Sequence, residues 1–280
     1  MRKTILLVAI ALVSMIAQAQ VLEVISMQKV ATPNGTGGMI VGLSPKGDYL
    51  LLTDANEKGL VRYDINTQNT TTITDADGAG SYAKISQDGN TITYRQRIYD
   101  DSKLVRFDIM QYNTQTSKTA IVAKQQAGTE LLVDATANTT VSVNTDLYLV
   151  LNRNGKRIVM APNGEEYRYN WPSISPDGSK ILYYVSGEGC YVCDINGQNV
   201  KFIARHCRAA QWYNNNNTIV GMADEDDGHD FTASAIMAYT LDGKSQTLVA
   251  KDKIAMYPFA TTGKVAFSTP KGEMYLLQVK

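Results

Sequence analysis

The chain has 280 residues, of which 27 are lysine or arginine and 27 are aspartate or glutamate, so its formal net charge at pH 7 is zero. This balance argues against the strongly basic surface of proteins that bind nucleic acid or anionic membranes. Phenylalanine is scarce while tyrosine, threonine, asparagine and valine are common, a composition typical of strands and turns rather than helices.

The N-terminal segment has the pattern of a secretory signal peptide. Two basic residues are followed by an apolar core over residues 5–16 and by the small-x-small cleavage site Ala17-Gln18-Ala19. The apolar core is too short for a comfortable membrane span, and Gln20 follows the site where a lipoprotein would need cysteine. We therefore predict a signal peptide over residues 1–19 and one exported, periplasmic or secreted domain over residues 20–280, without membrane insertion of the mature chain.

A unit of strand, tight turn and strand recurs along the mature chain. It is best formed over residues 171–203, where the turn is Ser175-Pro176-Asp177-Gly178. Proline presets φ, aspartate bonds to nearby backbone, and glycine accepts positive φ. Weaker copies have glycine or asparagine at the same place, because asparagine is the next best residue for positive φ. These copies contain Gly47, Gly89, Asn138, Asn216 and Gly263.

The unit repeats about every 43 residues and contains four short strands, which is the pattern of a propeller blade. Six blades of that size need about 258 residues, and the mature chain offers about 260. The last unit ends one strand early, whereas residues 28–31 resemble the fourth strands of the other units. We predict an all-β, six-bladed β-propeller of four-stranded antiparallel blades, in which the N-terminal strand completes the last blade. A pair of β-sandwich domains is the alternative.

The Ser-Pro-x-Gly turns at 44–47 and 175–178, together with strands such as Arg106-Phe107-Asp108-Ile109, resemble the TolB-like propeller repeat, a relative of WD-type repeats. The resemblance covers nearly all of the mature chain. It implies an exported six-bladed propeller of the protein-binding kind. TolB itself carries an α/β domain before its propeller. The roughly 20 residues between the predicted cleavage site and the first repeat cannot hold such a domain. The role of TolB in the Tol–Pal system of the cell envelope is therefore only a weak guide to the function of this chain.

Propeller loops divide between two faces. Connections from the second to the third strand and from blade to blade gather on one face, here called the loop-rich face, and the tight turns gather on the other, the tight-turn face. The loop-rich face holds the longer segments 95–102, 165–170, 205–208 and 223–231. Binding residues concentrate on such loops, and arginine and aromatic residues anchor protein interfaces. We predict that this face binds a protein or peptide of the cell envelope through Arg95, Tyr99, Asp100, Tyr167, Arg168, Tyr169, His206 and His229.

The segment 223–231 is the longest predicted insertion, and it is strongly acidic. Asp224, Asp226 and Asp230 offer oxygen donors and Gly228 allows a sharp turn, as calcium loops need. The segment lacks the regular spacing and closing glutamate of an EF-hand. Calcium at these three aspartates is therefore one interpretation, and a hydrated surface loop without any cofactor is the other.

The three cysteines are Cys190, Cys193 and Cys207. Residues three apart on a strand point to opposite faces, so neither a zinc pair nor a disulfide is expected between Cys190 and Cys193. Cys190 and Cys207 could meet across the third and fourth strands if the register brings them together. In an oxidising compartment these two residues would then form a disulfide. Buried free thiols are the other interpretation.

Catalysis has little support in the sequence. The chain has two histidines, and it lacks the Gly-x-Ser-x-Gly, His-Glu-x-x-His and phosphate-binding glycine motifs. Trp171 and Trp212, near the starts of two repeats, are expected to pack in the core or between blades. We predict a non-catalytic binding scaffold. The alternative is a cation-assisted carbohydrate-processing or hydrolytic enzyme that uses the acidic segment 223–231.

Overall fold

The computed structural model describes residues 21–31, 38–126, 134–136, 139–213 and 215–280. The predicted signal peptide and the turn at Asn138 lie outside these residues. Within them, no helix is long and apolar enough to cross a membrane.

One 3₁₀ turn spans Lys251–Lys253. The strands are β1 (Val24–Lys29), β2 (Gly38–Leu43), β3 (Tyr49–Asp54), β4 (Leu60–Asp64), β5 (Thr70–Thr74), β6 (Lys84–Ile85), β7 (Thr91–Tyr99), β8 (Val105–Asn113), β9 (Lys118–Gln126), β10 (Asp134–Thr136), β11 (Thr139–Val143), β12 (Leu149–Arg153), β13 (Lys156–Met160), β14 (Tyr169–Ile174), β15 (Lys180–Val185), β16 (Gly189–Asp194), β17 (Lys201–Ala204), β18 (Arg208–Trp212), β19 (Thr218–Asp226), β20 (Phe231–Thr240), β21 (Ser245–Val249), β22 (Met256–Thr261), β23 (Lys264–Ser268) and β24 (Met274–Val279).

These strands form six separate four-stranded sheets in which neighbouring strands run antiparallel. Five blades take consecutive strands: β2–β5 form blade 1, β6–β9 blade 2, β10–β13 blade 3, β14–β17 blade 4 and β18–β21 blade 5. Blade 6 joins β22–β24 to β1. First strands of neighbouring blades contact one another around most of the ring, which places them at the centre and the fourth strands at the rim. The predicted six-bladed propeller is confirmed, and the β-sandwich alternative is wrong.

The N-terminal strand closes the ring as predicted. β1 lies on the outer edge of β24, with Val24 opposite Val279 and Lys29 opposite Tyr275. The side chains along β1 are exposed, so its pairing is mainly a matter of backbone hydrogen bonds. Leu22 and Val30, immediately outside the strand, are buried and anchor its two ends in the core.

The recurrent turns follow from one hydrogen-bonding arrangement. In blade 4 the Ser175 hydroxyl donates to Asp177 over 2.7 Å and accepts from the backbone N–H of Lys180 over 2.9 Å. Gly178 then takes a φ of 72°, which a side chain would strain. Ser86 accepts from the N–H of Thr91 in the same way in blade 2. This explains why serine, aspartate and glycine recur at fixed spacing.

The described part of the core consists of five apolar clusters, each between two neighbouring blades. They join blades 1 and 2, 3 and 4, 4 and 5, 5 and 6, and 6 and 1. Among the residues that the structure describes, no such cluster joins blade 2 to blade 3.

All three cysteines are buried free thiols. Cys193 lies in the cluster between blades 3 and 4, whereas Cys190 and Cys207 lie in the cluster between blades 4 and 5. This confirms that Cys190 and Cys193 point to opposite sides of their strand. Burial raises the pKa of Cys193 to about 12, and burial followed by the neighbouring Cys190 thiol raises the pKa of Cys207.

Candidate functional site

The two faces of the ring are divided as the sequence predicts, but the strand bounds differ. Residues 95–99 belong to β7, residues 169–170 to β14 and residues 223–226 to β19, so these segments are strands rather than loops. The β7–β8 and β19–β20 hairpins have strands of nine or ten residues, whereas second and third strands elsewhere have five or six. These two hairpins therefore extend further on the loop-rich face.

Asp100 shapes the tip of the β7–β8 hairpin. Its Oδ1 accepts the backbone N–H groups of Ser102 and Leu104, each over 2.9 Å. Its Oδ2 lies 3.1 Å from Nη2 of Arg106. Asp100, predicted as a contact residue, thus has its carboxylate committed within the hairpin. Beside it the ring of Tyr99 is 66% exposed.

Arg95 of β7 is held by its neighbours from several sides. Its guanidinium carbon lies 4.7 Å from the centre of the Tyr82 ring and 4.4 Å from that of Phe107, within cation–π distance of both. Nη2 donates to the hydroxyl of Ser81 over 2.5 Å. Nε is buried without a hydrogen-bond partner among the described residues. Burial lowers the pKa of Arg95, against a raising contribution from Glu57.

An exposed aromatic residue recurs on the innermost strands, and sequence reasoning missed it. Tyr82, Trp171 and Tyr257 have φ of 60°, 48° and 50°, values uncommon for bulky residues and often found at functional sites. Bulges at Trp171 and Tyr257 interrupt the pairing of β14 and β22. Trp171 is 42% exposed and lies 5.5 Å from the Tyr184 ring, which corrects its assignment to the core. The available signal was spacing, since Tyr82 and Trp171 each precede a turn serine by four residues.

Trp212, by contrast, is buried as expected, with its indole N–H donating to the carbonyl of Ser173 over 3.3 Å.

The acidic residues of β19 surround an arginine. Asp224, nearly buried, lies 3.1 Å from Nη1 of Arg208, and Asp226 lies 3.9 Å from Nη2. The Phe231 ring covers the same guanidinium at 5.6 Å. Burial raises the pKa of Asp224, and Arg208 opposes this rise. Two of the three proposed calcium ligands are thus ion-paired.

The tip of the β19–β20 hairpin is a hydrogen-bonded turn. Oδ1 of Asp227 accepts the backbone N–H groups of Asp230 and His229, each over 2.9 Å, and these bonds lower the pKa of Asp227. The side chains of His229 and Asp230 are exposed. Within the described part of the chain, no three histidine, cysteine or acidic side chains converge so that they could hold a metal ion. Calcium at Asp224, Asp226 and Asp230 stays a prediction.

The segment before blade 4 divides between core and surface. Tyr169 is fully buried, its hydroxyl accepting from the N–H of Asn163 over 2.9 Å and donating to the carbonyl of Gly164 over 3.0 Å, which corrects its assignment as a contact residue. Tyr167 is half-buried against the same cluster, and Arg168 is exposed above the Tyr148 ring at 5.6 Å.

His206 is exposed between blades 4 and 5. Its carbonyl accepts from the Tyr239 hydroxyl over 2.7 Å. The predicted residues therefore form distinct groups along the loop-rich face: one on blade 2 around Arg95, one before blade 4 around Arg168, and one between blades 4 and 5 around Arg208.

Solved structures with the same fold include TolB. The TolB of Acinetobacter baumannii superposes with a TM-score of 0.55 at 14% identity, over 85% of this chain and 53% of that one. A candidate TolB of Agrobacterium tumefaciens gives 0.57 at 15% identity, over 87% of this chain and 89% of that one. The architecture that this chain shares with these structures is the β-propeller. This chain spans about half the length of the Acinetobacter protein.

An oligogalacturonate lyase solved in complex with manganese is also similar, with a TM-score of 0.54 at 15% identity, over 87% of this chain and 76% of that one. No family model matches the sequence, and no curated protein sequence does. Identities of this size establish a shared fold, and fold does not fix function.

Proposed function

We propose that the chain is an exported, non-catalytic β-propeller that binds a protein or peptide partner of the cell envelope through its loop-rich face. The observation that carries the proposal is the β7–β8 hairpin. Its tip presents the side chains of Tyr99, Leu104 and Val105 to solvent, and Tyr82 lies exposed beside the same hairpin. Exposed apolar and aromatic residues gathered on one element mark interaction surfaces.

The chemistry of these residues favours a protein partner. Tyrosine and arginine are enriched at the centres of protein interfaces, where a few residues contribute most of the binding energy. Arg95 and Arg168 on this face are each positioned over aromatic rings, so little rotational freedom would be lost when a partner binds. Export rests on the signal-peptide pattern of residues 1–19.

Site-specific photocrosslinking in cells that express the chain tests the proposal. Benzoylphenylalanine replaces Tyr99 in one variant and Arg168 in a second, both on the loop-rich face. Gln115 is exposed on the tight-turn face and provides the matched control. We expect the first two variants to yield adducts with the same protein and the control to yield none. Equal adducts from both faces, or none from either loop-rich position, would exclude the proposal.

Asp224 favours a second candidate, a cation-assisted carbohydrate-processing or hydrolytic enzyme that uses residues 223–231. Its nearly buried carboxylate with a raised pKa is a feature often found at active sites. The similar oligogalacturonate lyase was solved with manganese. Turnover of oligogalacturonate that is abolished by a chelator and by Asp224→Asn would support this candidate. A melting temperature that calcium and manganese leave unchanged would count against it.

A further inference from the structure

One side of blade 2 carries two arginines at adjacent positions. Ile92 and Tyr94 of β7 lie in the apolar cluster with blade 1. Since side chains alternate along a strand, Arg95 and Arg97 point to the opposite side of the blade, together with Ile109 and Phe107, which lie opposite them on β8. Arg95 is half-buried there and Arg97 is exposed.

These two arginines lack an acidic partner among the residues that the structure describes. No aspartate or glutamate among the described residues lies within ion-pair distance of Arg95 or Arg97, and Glu57 acts on Arg95 from farther away. By contrast, three other arginines each lie within 4 Å of an aspartate: Arg62, Arg106 and Arg208. No described acidic side chain therefore forms an ion pair with either guanidinium.

The guanidinium of Arg95 is also fixed in place. Tyr82 and Phe107 contact it at cation–π distances, and Ser81 holds Nη2. Nη1 forms no hydrogen bond to a described residue. A planar guanidinium held in this way is suited to charge-assisted hydrogen bonds with a carboxylate, which are stronger and more directional than those of lysine.

Apolar surface surrounds the charge. Tyr82 is 63% exposed, and Tyr99, Leu104 and Val105 are exposed on the adjoining hairpin. Exposed aliphatic side chains next to the fixed Arg95 and the exposed Arg97 fit a peptide chain that carries both carboxylates and apolar side chains. A purely polar, acidic oligosaccharide would leave Leu104 and Val105 without a counterpart.

We propose that Arg95 and Arg97 form a carboxylate-binding subsite, and that the contact region of the protein partner is an acidic segment with interspersed apolar residues. This rests on the proposed binding function of the loop-rich face. The partner's aspartate, glutamate or terminal carboxylate lies against Nη1 of Arg95 and the guanidinium of Arg97. Its apolar side chains lie on Tyr82 and the tip of the β7–β8 hairpin.

The test uses the purified protein and three N-acetylated octapeptides, of which the first two are also amidated at the C-terminus. The first alternates leucine and glutamate, the second has glutamine in place of each glutamate, and the third is the glutamine peptide with a free C-terminal carboxylate. Arginine Nε–H signals in ¹H–¹⁵N spectra report on the subsite. We expect the glutamate peptide to shift the signals of Arg95 and Arg97. The glutamine peptide should bind at least about tenfold more weakly, because it loses at least one charge-assisted hydrogen bond. Binding of the third peptide identifies a terminal carboxylate as the group recognised.

Two variants and one control complete the design. Arg97→Gln changes an exposed side chain, so the variant is expected to fold. It should lower the affinity for the glutamate peptide at least about tenfold. Arg95→Gln should do the same, with the buried Trp212 indole signal as a check on folding. Arg153→Gln, at an exposed arginine where β12 ends toward the tight-turn face, should leave binding unchanged.

The outcomes separate this inference from the proposed function. Equal binding of glutamate and glutamine peptides, or no shift with any peptide, overturns carboxylate recognition while the crosslinking test of the face stands on its own. Oligogalacturonate that shifts the Arg95 signal where the peptides do not would overturn the acidic peptide and favour the second candidate.

Discussion

The closure of the ring by β1 can be tested through Leu22, the residue that anchors the strand at its start. Leu22 is 5% exposed and packs in the cluster between blades 5 and 6 with Val249 and Leu277. Gln246 holds the same segment, because its Oε1 accepts the N–H of Val21 over 2.7 Å and its Nε2 donates to the carbonyl of Leu22 over 2.6 Å. We expect Leu22→Ala to destabilise the protein substantially.

The magnitude follows from burial. Truncation of a buried leucine to alanine costs about 2–5 kcal/mol, from the lost transfer free energy and the cavity that remains. For a domain of this size each kcal/mol lowers the melting temperature by about 2–4 °C. A cost of about 3 kcal/mol therefore corresponds to a decrease of roughly 6–12 °C.

Ile25→Ala provides the matched control. Ile25 lies on β1 itself, only three residues away, but its side chain is 60% exposed, so we expect a change within about 0.5 kcal/mol. Urea unfolding followed by tryptophan fluorescence gives the free energy of unfolding of both variants. If Leu22→Ala were as stable as Ile25→Ala, the N-terminal segment would not be packed against blades 5 and 6 and the closure of the ring would be refuted.

Three further predictions concern acid stability, the hairpin tip and the thiols. Burial raises the pKa of Asp177, but hydrogen bonds from two serines hold it at about 2, below its ordinary 3.8, so its contribution to stability is present above pH 4 and is lost as the pH falls toward 2. Asp177→Asn should reduce the decrease in the free energy of unfolding between pH 4 and pH 2, measured by acid unfolding. Asp100→Ala should cost about 1 kcal/mol and speed exchange of the Leu104 amide, whereas Asp101→Ala should do neither. Denatured, unreduced protein should titrate three thiols, and one thiol would instead indicate a Cys190–Cys207 bridge.

The architecture could be predicted because its signals are local. A turn needs serine, aspartate and glycine at fixed positions for its own hydrogen bonds, so the same residues recur wherever the turn does, as at Ser86 and Ser175. The missing last strand could be predicted because the chain had one strand too few at one end and one too many at the other. Both signals concern backbone requirements, which change little from blade to blade.

The site was less predictable because exposure depends on packing between blades. Tyr167 and Tyr169 look alike in the sequence, yet one is half-buried and the other is fully enclosed in a cluster. Trp171 resembles a core residue until the bulge at positive φ turns it outward. The sequence predicts a loop over residues 95–102, because charged residues interrupt the strand pattern there. The structure instead extends β7 to Tyr99, and this extra length decides which side chains the tip of the β7–β8 hairpin exposes.

Closure of the ring is supported at several places. Among the described residues, five seams have apolar clusters, and the last blade is completed by β1. An arginine without an acidic partner is costly when it is buried. Arg97 is exposed, and the half-buried Arg95 is fixed between two aromatic rings beside the β7–β8 hairpin, whose tip is exposed. A guanidinium held in place beside exposed apolar side chains is thus suited to recognise another chain.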